Sequence, residues 1–577
     1  MERLRLKIGG GSGLGLLSVG EIVTDALREM GFYLIADRQY PSLIKGGHSC
    51  FVVNAASEPV YGLSEGVDIM MMMDLPSMEA YVDDLNEGGI FVHGYEREMG
   101  MMPILKKLEA KKAKVIHLMA REVAEEMGGN VLMQNVVTVG MLWKAMGLPF
   151  EYIRNGVEKR FASKPKLLPV NLKCVEAGYE RAQSLMSLKL PAKKHEQVIM
   201  NGNQAVAMGA VACGVRAYFA YPMSPASSIL SYLALWADKT GMIVKQGEDE
   251  ITVANMTLGA SFAGTRAMCA TSGGGFDLMA ETVSLAGILE NPWVCVLCQR
   301  PGPATGLPTW TGQGDLNIAL YSAHGEFARV VMACGDNEDA FYLTQKAMNY
   351  SEEYQVPVVL LSEKQICEGI STVEKYKEDA VPIKRGLVSG EDLAGLKNDD
   401  RYKITESGLS KRWIPGSADA YYFANGDEHW ENGELNEDAD KAREMYAKRV
   451  RKLDLIHDGL PEPEIFGVES GADISFVGWG SSKGVMKDVI KELEADGGGA
   501  VRVNHLHFSY LWPLHTEKLK KFFEENKKVC LIEGNYTGQF GNLIEEKLGK
   551  RFAARLLKWD GRVFLIEEVM RFVKEQI

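Results

Sequence analysis

The sequence of 577 residues lacks the features that would point to a membrane or to nucleic acid. No apolar run is long enough to cross a bilayer, and the start MERLRLK leads into glycines instead of the apolar core of a signal peptide. Positive charge is not in excess either. A formal net charge of −13 and a pI near 5.5 disfavour nucleic acid and anionic membranes as partners. We therefore expect a globular, cytoplasmic protein.

Cysteine is also scarce, with nine residues scattered along the chain. This usage favours reduced thiols over a disulfide framework. The only close pair is Cys295 and Cys298, in the run NPWVCVLCQR, which reads as a buried strand. Because no second pair lies nearby, we interpret both as core residues and not as metal ligands. No recognised ligand spacing accompanies His505, His507 and His515, and we assign them no metal.

Short apolar strands alternate with helices and with glycine- or proline-rich turns along most of the chain. This alternation predicts a multidomain α/β protein of three or four domains. We predict an α/β domain over 1–185, a linker over 186–197, a second α/β domain over 198–375, a charged, loop-rich insert over 376–460 and a smaller α/β domain over 461–577. By composition alone, the insert could be a flexible linker that ends in a basic amphipathic helix.

Glycines crowd the start of the chain, where we predict a strand, a glycine-rich turn from Gly9 to Gly15 and a helix. Such a turn places backbone amides at a helix N-terminus, which suits a phosphate. Asp37 lies at an acceptable distance for a ribose contact, yet the following residues do not continue as a dinucleotide-binding fold. An NAD-dependent dehydrogenase stays open as an alternative.

The most informative stretch runs from Tyr218 to Gly275. The strand YFAY is followed by prolines and serines at the start of a helix, where amides and hydroxyls can hold an anion. A second strand leads to the acids Glu248, Asp249 and Glu250, and a third, RAMCATS, leads to a triple glycine. A carboxylate at the start of the intervening helix of small residues is well placed to be buried. On pattern alone, an ordinary α/β domain with polar turns is the favoured explanation of these residues.

Two blocks of this stretch, YPMSPASS and EDEITVANMTLGASFAGTRAMCATSGGGFDLM, closely resemble signatures of the alpha subunit of 2-oxoacid:ferredoxin oxidoreductases. In that family they form the domain that receives the aminopyrimidine ring of thiamine diphosphate and the 2-oxo acid. The resemblance implies that Glu250 is the catalytic glutamate on the pyrimidine ring. It also implies that Tyr221, Pro222 and Gly273 contact the cofactor, and that coenzyme A is a co-substrate.

Arg300 follows a predicted buried strand and precedes the loop PGPATGLPTWTGQGDL. A guanidinium can bind a carboxylate through two hydrogen bonds, although a lone arginine is more often part of a surface ion pair. By resemblance, Arg300 binds the carboxylate of the 2-oxo acid, with Ser224 and Thr309 beside it. Trp310 replaces a more usual polar or charged residue. Pyruvate, 2-oxoglutarate, branched-chain and aryl 2-oxo acids all remain open as substrates.

The ends of the chain carry looser resemblances to the same family. The N-terminal part is similar to its gamma domain, and the C-terminal part to its transketolase C-terminal-like domain. In relatives the gamma domain is associated with coenzyme A, so Gly11, Lys45 and His48 are expected contacts for it, together with Asn535 near the C-terminus. In the insert, His429 lies in a Gly-x-Glu-His turn that the family shares, and we interpret it as ordering that turn.

One part of the thiamine site is missing from the sequence. Enzymes of the wider class hold the diphosphate through Mg2+ with a Gly-Asp-Gly segment and a later Asn, but here Gly314 and Asp315 are followed by Leu316. We expect a beta subunit to supply this site and a [4Fe-4S] cluster, in a heterodimer or a dimer of heterodimers that uses ferredoxin. The chain is thus identified as a fused gamma-alpha subunit. A non-catalytic assembly subunit is the remaining alternative.

Overall fold

The computed structural model describes residues 3–11, 13–41, 47–95, 101–495 and 501–577. The chain divides into two compact units. Unit 1 comprises Met1–Met200, Gly369–Lys375 and Phe564–Arg571, and unit 2 comprises Asn201–Glu368, Tyr376–Val563 and Phe572–Ile577. Across the described ranges, none of the helices has both the length and the apolar character needed to cross a membrane.

Strands and helices alternate along both units, which confirms the predicted α/β class. The strands are β1 (Leu4–Gly11), β2 (Tyr33–Gln39), β3 (His48–Ala56), β4 (Val67–Met72), β5 (Leu85–His93), β6 (Lys114–His117), β7 (Val198–Asn201), β8 (Ala217–Ala220), β9 (Ile243–Gln246), β10 (Ala267–Thr271), β11 (Trp293–Gln299), β12 (Val330–Ala333), β13 (Pro357–Glu363), β14 (Ile370–Val373), β15 (Glu464–Gly467), β16 (Ile474–Trp479), β17 (Val503–Phe508), β18 (Tyr510–Trp512), β19 (Val529–Glu533) and β20 (Ala554–Leu557).

The helices are α1 (Leu16–Met30), α2 (Leu75–Tyr81), α3 (Met102–Ala110), α4 (Ala120–Glu126), α5 (Gln134–Ala145), α6 (Phe150–Phe161), α7 (Leu168–Arg181), α8 (Gly202–Ala212), α9 (Ser227–Thr240), α10 (Glu250–Phe262), α11 (Gly273–Leu278), α12 (Ala280–Ile288), α13 (Leu316–Tyr321), α14 (Asn337–Tyr354), α15 (Lys364–Glu368), α16 (Ala439–Gly459), α17 (Ser482–Ala495), α18 (Thr516–Glu525), α19 (Gln539–Leu548) and α20 (Ile566–Gln576).

Unit 1 is built on an eight-stranded sheet in the order β6-β5-β4-β1-β3-β2-β14-β7. Its centre is mixed, because β1 pairs antiparallel with β3 but parallel with β4. The methionine run ends β4 and is buried, as predicted for core filling. The apolar segment before Phe150 forms α5, whose side chains, including Trp143, lie in the core of the unit.

The glycine-rich turn predicted from Gly9 to Gly15 is shorter in the structure. Gly9, Gly10 and Gly11 belong to β1 and pair with β3. Side chains at these glycines would collide with Met72, Met73 and Asp74, all within 2.6 Å of an added Cβ. Close packing against the end of β4 therefore explains the first glycines of the motif, without reference to a phosphate.

Unit 2 contains two sheets that share one hydrophobic core. The larger has the order β18-β12-β13-β11-β10-β8-β9, and its strands from β8 to β13 run parallel. The smaller has the order β15-β17-β16-β19-β20. Strand β18 pairs antiparallel with β12. Residues of the predicted last domain, 461–577, therefore complete the sheet of the predicted second α/β domain. Trp293 of one sheet and Trp479 of the other lie in the same apolar cluster.

The predicted insert is anchored by a buried ion cluster. Its helix α16 buries Lys448 and Lys452, which both pair with the buried Glu290, while Arg401 donates to the carbonyl oxygens of Leu289 and Glu290. The possibility of a flexible linker is therefore wrong for this segment. Lys448 and Lys452 of α16 thus pack against the turn that follows α12.

The cysteines of the chain lie in the protein interior. Cys295 and Cys298 lie in β11 and are fully buried, which confirms their interpretation as core residues of a strand. All nine cysteines are free and buried, and burial raises the pKa of several of these thiols, including Cys213 and Cys530, to about 11.

Candidate active site

Four turns meet at the carboxyl edge of the parallel sheet in unit 2. Turns follow β8, β9, β10 and β11, which are neighbours in the sheet and run in the same direction. In open α/β sheets this edge is where ligands bind, because helix N-termini and loop side chains converge there. All the residues predicted for the substrate and the pyrimidine ring lie in or next to these turns.

The turn after β8 begins with Tyr221 and Pro222, both exposed. Its far end is fixed by the buried Asn203, whose amide donates to the carbonyl oxygen of Pro225 at 2.7 Å and to Ser228 Oγ at 2.7 Å. Helix α9 begins at Ser227, as predicted. The residues that follow Ser224 are thereby held on α8, and Ser224 itself is partly exposed.

Glu250 is the first residue of α10 and is only 4% exposed. Asp249 caps the helix, accepting a hydrogen bond from the Thr252 amide at 2.7 Å, and Glu248 is exposed. The Glu250 Oε1 atom is buried and has no hydrogen-bond partner among the described residues. A Cβ added to Gly275 would lie 2.7 Å from this atom, so the carboxylate packs against the glycine turn, residues 272–275. The prediction that Glu250 is buried at the start of its helix is confirmed.

Arg300 immediately follows β11 and points toward the turn after β8. Its Nη1 donates to the Ser224 carbonyl oxygen at 2.7 Å. Burial lowers the pKa of Arg300, and Asp315 acts in the opposite direction. The structure thus places Arg300 against the Ser224 backbone. Their role in binding a substrate carboxylate stays a prediction.

Asp315 adds an acid that the sequence did not single out. A Cβ on Gly273 would lie 2.8 Å from both of its carboxylate oxygens, so Asp315 packs on the same glycine turn as Glu250. Burial raises the pKa of Asp315 to about 7, with a further increase from Asp277 and an opposing effect of Arg300.

The loop after Arg300 is held by buried polar groups. Thr309 is 5% exposed. Farther along, Glu363 at the end of β13 accepts hydrogen bonds from Thr311 Oγ1 at 3.0 Å, Gln313 Nε2 at 2.9 Å and the Ser481 amide at 2.8 Å. Burial raises the pKa of Glu363, whereas these hydrogen bonds lower it, and burial dominates. The loop that follows Arg300 is therefore fixed to both sheets of unit 2.

Asn535 belongs to this polar framework. Its amide donates to the Gln313 carbonyl oxygen at 2.9 Å and to Glu533 Oε1 at 2.7 Å, and its Oδ1 accepts from the Gly538 amide at 2.7 Å. With 6% exposure, Asn535 orders the turn before α19 and supports the loop that follows Arg300. A contact between Asn535 and coenzyme A stays a prediction.

The other residues predicted for coenzyme A lie in unit 1. The Gly11 amide donates to Asp74 Oδ2 at 2.6 Å, so this donor is already used. His48 packs edge-on against Tyr81, with ring centroids 5.3 Å apart. Lys45 lies outside the described residues. Binding of coenzyme A by these three residues stays a prediction.

His429, His505 and His507 are buried, and His515 is partly exposed. His429 Nδ1 lies 2.9 Å from the Trp430 carbonyl oxygen, which fits its predicted role in ordering a turn. Burial lowers the pKa of His505 to about 3 and lowers that of His507 as well. Among the described residues, no group of three or more His, Cys, Asp or Glu side chains is arranged to hold a metal.

Sequence reasoning missed Asp315, Glu363 and Gln313. Glu363 ends the apolar run PVVLLSE, and a strand that ends in an acid beside another parallel strand is a signal that could have been used. In the sequence, Asp315 stands out only because Leu316, and not a glycine, follows it, which breaks the Gly-Asp-Gly pattern of a diphosphate site. Its environment depends on Gly273, 42 residues earlier, and the sequence carries no marker of that contact.

Comparison with known proteins agrees with this geometry. Residues 5–181 match the family model for pyruvate ferredoxin/flavodoxin oxidoreductase, and residues 208–448 match the thiamine diphosphate-binding model of pyruvate flavodoxin/ferredoxin oxidoreductase. The 2-oxoacid:ferredoxin oxidoreductase subunit alpha of a Sulfolobus species is 31% identical, over 98% of this chain and 96% of that protein. The 2-oxoglutarate oxidoreductase subunit KorA of Mycobacterium tuberculosis is 26% identical over 100% of this chain and 91% of its own length.

A solved structure covers the whole molecule. The 2-oxoglutarate:ferredoxin oxidoreductase of Magnetococcus marinus, with 2-oxoglutarate, coenzyme A and succinyl-CoA bound, matches with a TM-score of 0.90 and 28% identity over 100% of both chains. Together with a relative that is 31% identical along nearly the full length, this match agrees with the resemblance seen in the sequence. The chain belongs to the 2-oxoacid:ferredoxin oxidoreductase alpha-subunit family.

Proposed function

We propose that this chain, with a second subunit, catalyses the oxidative decarboxylation of a 2-oxo acid to acyl-CoA and CO2, with ferredoxin as electron acceptor. The observation that carries the proposal is the buried, unpartnered carboxylate oxygen of Glu250 at the carboxyl edge of the sheet. Buried polar atoms without partners are uncommon in folded proteins and call for an explanation such as a ligand. Arg300, close by at the same edge, supplies the positive charge that an anionic substrate needs.

Thiamine diphosphate fits the groups that surround Glu250. The carboxylate can accept a hydrogen bond from a pyrimidine ring nitrogen, and the open face of Gly274, which has no atom within 4 Å of an added Cβ, leaves room beside it. Tyr221, Pro222 and Gly273 lie in turns at this edge and are proposed cofactor contacts. When bound, the cofactor supplies a nucleophilic carbon and an electron sink for decarboxylation.

The chain's own residues then have separate tasks. Glu250 holds a proton between its carboxylate and the pyrimidine ring nitrogen, and burial at the helix start keeps bulk water from competing for that hydrogen bond. Arg300 binds the substrate carboxylate, and the hydrogen bond to Ser224 orients its guanidinium. Thr309 completes the anion site on a loop that Glu363 fixes. Positioning of this kind lowers the entropic cost of reaction.

Other parts of the reaction are assigned to partners. We propose that a beta subunit holds the diphosphate through Mg2+ and carries the [4Fe-4S] cluster, because the cysteines of this chain occupy its own core. Coenzyme A is proposed as the acyl acceptor, with Gly11, Lys45, His48 and Asn535 as contacts. Nine free thiols also suit a reducing compartment, so we place the protein in the cytoplasm.

The alternative of an NAD-dependent dehydrogenase has less support. A dinucleotide pyrophosphate needs free amides at the glycine turn, but the Gly11 amide donates to the Asp74 carboxylate. That carboxylate would also repel a phosphate. Protection of this turn by NADH, and not by coenzyme A, would favour the alternative.

The test is to purify the chain together with its co-produced partner and to assay reduction of a low-potential acceptor. Pyruvate, 2-oxoglutarate, branched-chain and aryl 2-oxo acids are each supplied with coenzyme A. We expect acceptor reduction that requires both thiamine diphosphate and one class of 2-oxo acid. A fully assembled complex that turns over none of these acids would contradict the proposal and favour a non-catalytic subunit.

A further inference from the structure

Asp315 is a half-buried acid in the site for which neither a cofactor nor a capping role accounts. It stands at the N-cap position of α13, yet its side chain accepts no capping hydrogen bond from that helix. Its own amide donates to Gln299 Oε1 at 3.1 Å, which fixes the backbone. The carboxylate turns instead onto the Gly273 backbone. The carboxylate therefore lies against the glycine turn, residues 272–275, that Glu250 also contacts.

One oxygen of the Asp315 carboxylate also lacks a hydrogen-bond partner. Its Oδ2 atom is buried, and none of the described residues donates to it. The cation at this edge, Arg300, instead donates to the Ser224 carbonyl oxygen at 2.7 Å. A buried polar oxygen that stays unpaired destabilises the fold, so its retention is best explained by a ligand that pairs with it.

The charges that face Asp315 come from two neighbouring elements. Asp277 belongs to α11 and Arg300 follows β11, and these are the charged groups that act on Asp315. Burial contributes most and Asp277 adds to it, so the pKa of Asp315 rises to about 7 despite the opposing effect of Arg300. At neutral pH the carboxyl is therefore protonated in about half of the molecules and can donate a hydrogen bond.

We propose that Asp315 is a second substrate-binding residue, which in its protonated form donates a hydrogen bond to an oxygen of the 2-oxo acid held by Arg300. This inference rests on the proposed function. A neutral acid beside one guanidinium leaves a single net positive charge for a single substrate carboxylate. An ionised Asp315 would repel the same anion, so proton uptake and substrate binding are coupled.

The coupling predicts a pH dependence with a definite sign. Below about pH 7 Asp315 is protonated and binding is at full strength; above it, kcat/KM should fall and approach a tenfold loss per pH unit. The loss should lie in KM, with kcat changed much less, because bound substrate holds the acid in its protonated form. The assay uses the complex with its partner, with coenzyme A and acceptor saturating.

Two substitutions at Asp315 separate charge from hydrogen bonding. Asp315→Asn keeps a donor and cannot ionise, so kcat/KM should match the wild type below about pH 6.5 and stay level above it. Asp315→Ala has no donor, and its kcat/KM should be level but about tenfold lower at every pH. Rescue by Asn and not by Ala would not follow from a merely structural role.

Asp277→Asn is a matched control on a neighbouring acid, which is exposed on α11. Removal of this negative charge should move the descending limb of the profile to lower pH while its shape is kept, because Asp277 raises the pKa of Asp315. An unchanged midpoint would contradict the electrostatic account.

Substrate binding without turnover gives an independent readout. In the Glu250→Gln complex, calorimetric titration with the 2-oxo acid in buffers of different ionisation enthalpy counts the protons taken up. About half a proton should be taken up per substrate near pH 7, and almost none after the additional change Asp315→Asn.

The possible outcomes separate this inference from the proposed function. If the wild-type complex turns over a 2-oxo acid, but its kcat/KM profile equals that of Asp315→Asn and no proton is taken up, Asp315 has no role in binding and only this inference is wrong. An increase in affinity for Asp315→Asn at every pH would mean that Asp315 is ionised and competes with substrate for Arg300. If no 2-oxo acid binds or reacts, both the function and the inference are wrong.

Discussion

Two buried glutamates of unit 2 have opposite electrostatic surroundings. Glu290 pairs with Lys448 and Lys452, and although burial raises its pKa, these cations and Arg401 lower it below the ordinary value. Glu250 is almost as buried, yet its Oε1 has no partner in the described chain. The fold can satisfy a buried acid where it needs one for assembly. The unsatisfied acid therefore indicates the place where a ligand binds.

The largest expected effect follows from Glu250→Gln. The amide keeps the size of the side chain but cannot share a proton with a pyrimidine nitrogen, so turnover should fall by about 10²–10⁴-fold while unfolding is unchanged. Steady-state assays and thermal unfolding of the complex measure both. The exposed Glu248 offers a matched control, since Glu248→Gln should keep full activity. More than a tenth of wild-type turnover in Glu250→Gln would contradict the assignment.

The same substitution at Glu290 should lower stability and leave turnover unchanged, the reverse of Glu250→Gln. Glu290→Gln leaves Lys448, Lys452 and Arg401 without their anion, which should lower the free energy of unfolding by about 3–5 kcal/mol. Turnover of the molecules that remain folded should be retained. Urea unfolding measures the loss.

The pH dependence of the Glu290 effect has a definite sign. A lowered folded-state pKa means that the carboxylate stabilises the fold above the ordinary value of 4.5 and that this stabilisation is lost as pH falls below it. The difference between Glu290→Gln and the wild type should therefore shrink in acid. A difference that stays constant as pH falls from about 4.5 to about 2 would contradict the ion cluster.

Arg300 in the candidate active site and Arg401 in the ion cluster provide a smaller contrast. Arg300→Lys keeps the charge but loses the planar fork, so KM for the 2-oxo acid should rise about 10–100-fold with little change in stability. Arg401 donates to three acceptors in the ion cluster, and Arg401→Lys should lower stability and leave KM unchanged. Kinetics and urea unfolding on both variants check the pair. An equal rise in KM for Arg300→Lys and Arg401→Lys would contradict the separate roles of the two arginines.

The last contrast concerns a buried histidine that has no anionic partner in the described chain and that we assign to no ligand. Burial lowers the pKa of His505 to about 3, so between about pH 6.5 and 3 the unfolded chain binds a proton that the folded chain does not. The free energy of unfolding should therefore decrease as pH is lowered through this range, by up to about 1.4 kcal/mol per pH unit. His505→Asn should make the slope shallower. Equal slopes for the two proteins would show that His505 is charged in the fold.

The sequence predicted the local parts of the site well. Strands around YFAY, GMIVKQ, RAMCATS and WVCVLCQR lie where expected, and Glu250 begins its helix as a buried acid with Asp249 as its cap. These features depend on residues close in sequence, such as strand-ending turns and helix caps. The resemblance of the motifs then supplied the roles.

Features that depend on distant contacts were not predictable in this way. Lys448 and Lys452 have the spacing of a solvated helix face, and only the position of Glu290 shows that they are buried. The raised pKa of Asp315 depends on burial against Gly273, and β18 joins a sheet whose other strands end far earlier in the chain. Gly11 was read as part of a phosphate turn, but Asp74 occupies its amide.

The most direct test of the account is an experimental structure of the complex with its partner subunit and thiamine diphosphate. The account predicts that a pyrimidine ring nitrogen lies within hydrogen-bonding distance of the Glu250 carboxylate, which would satisfy the oxygen that the chain leaves unpaired. A cofactor bound elsewhere, with Glu250 still buried and unpaired, would contradict it.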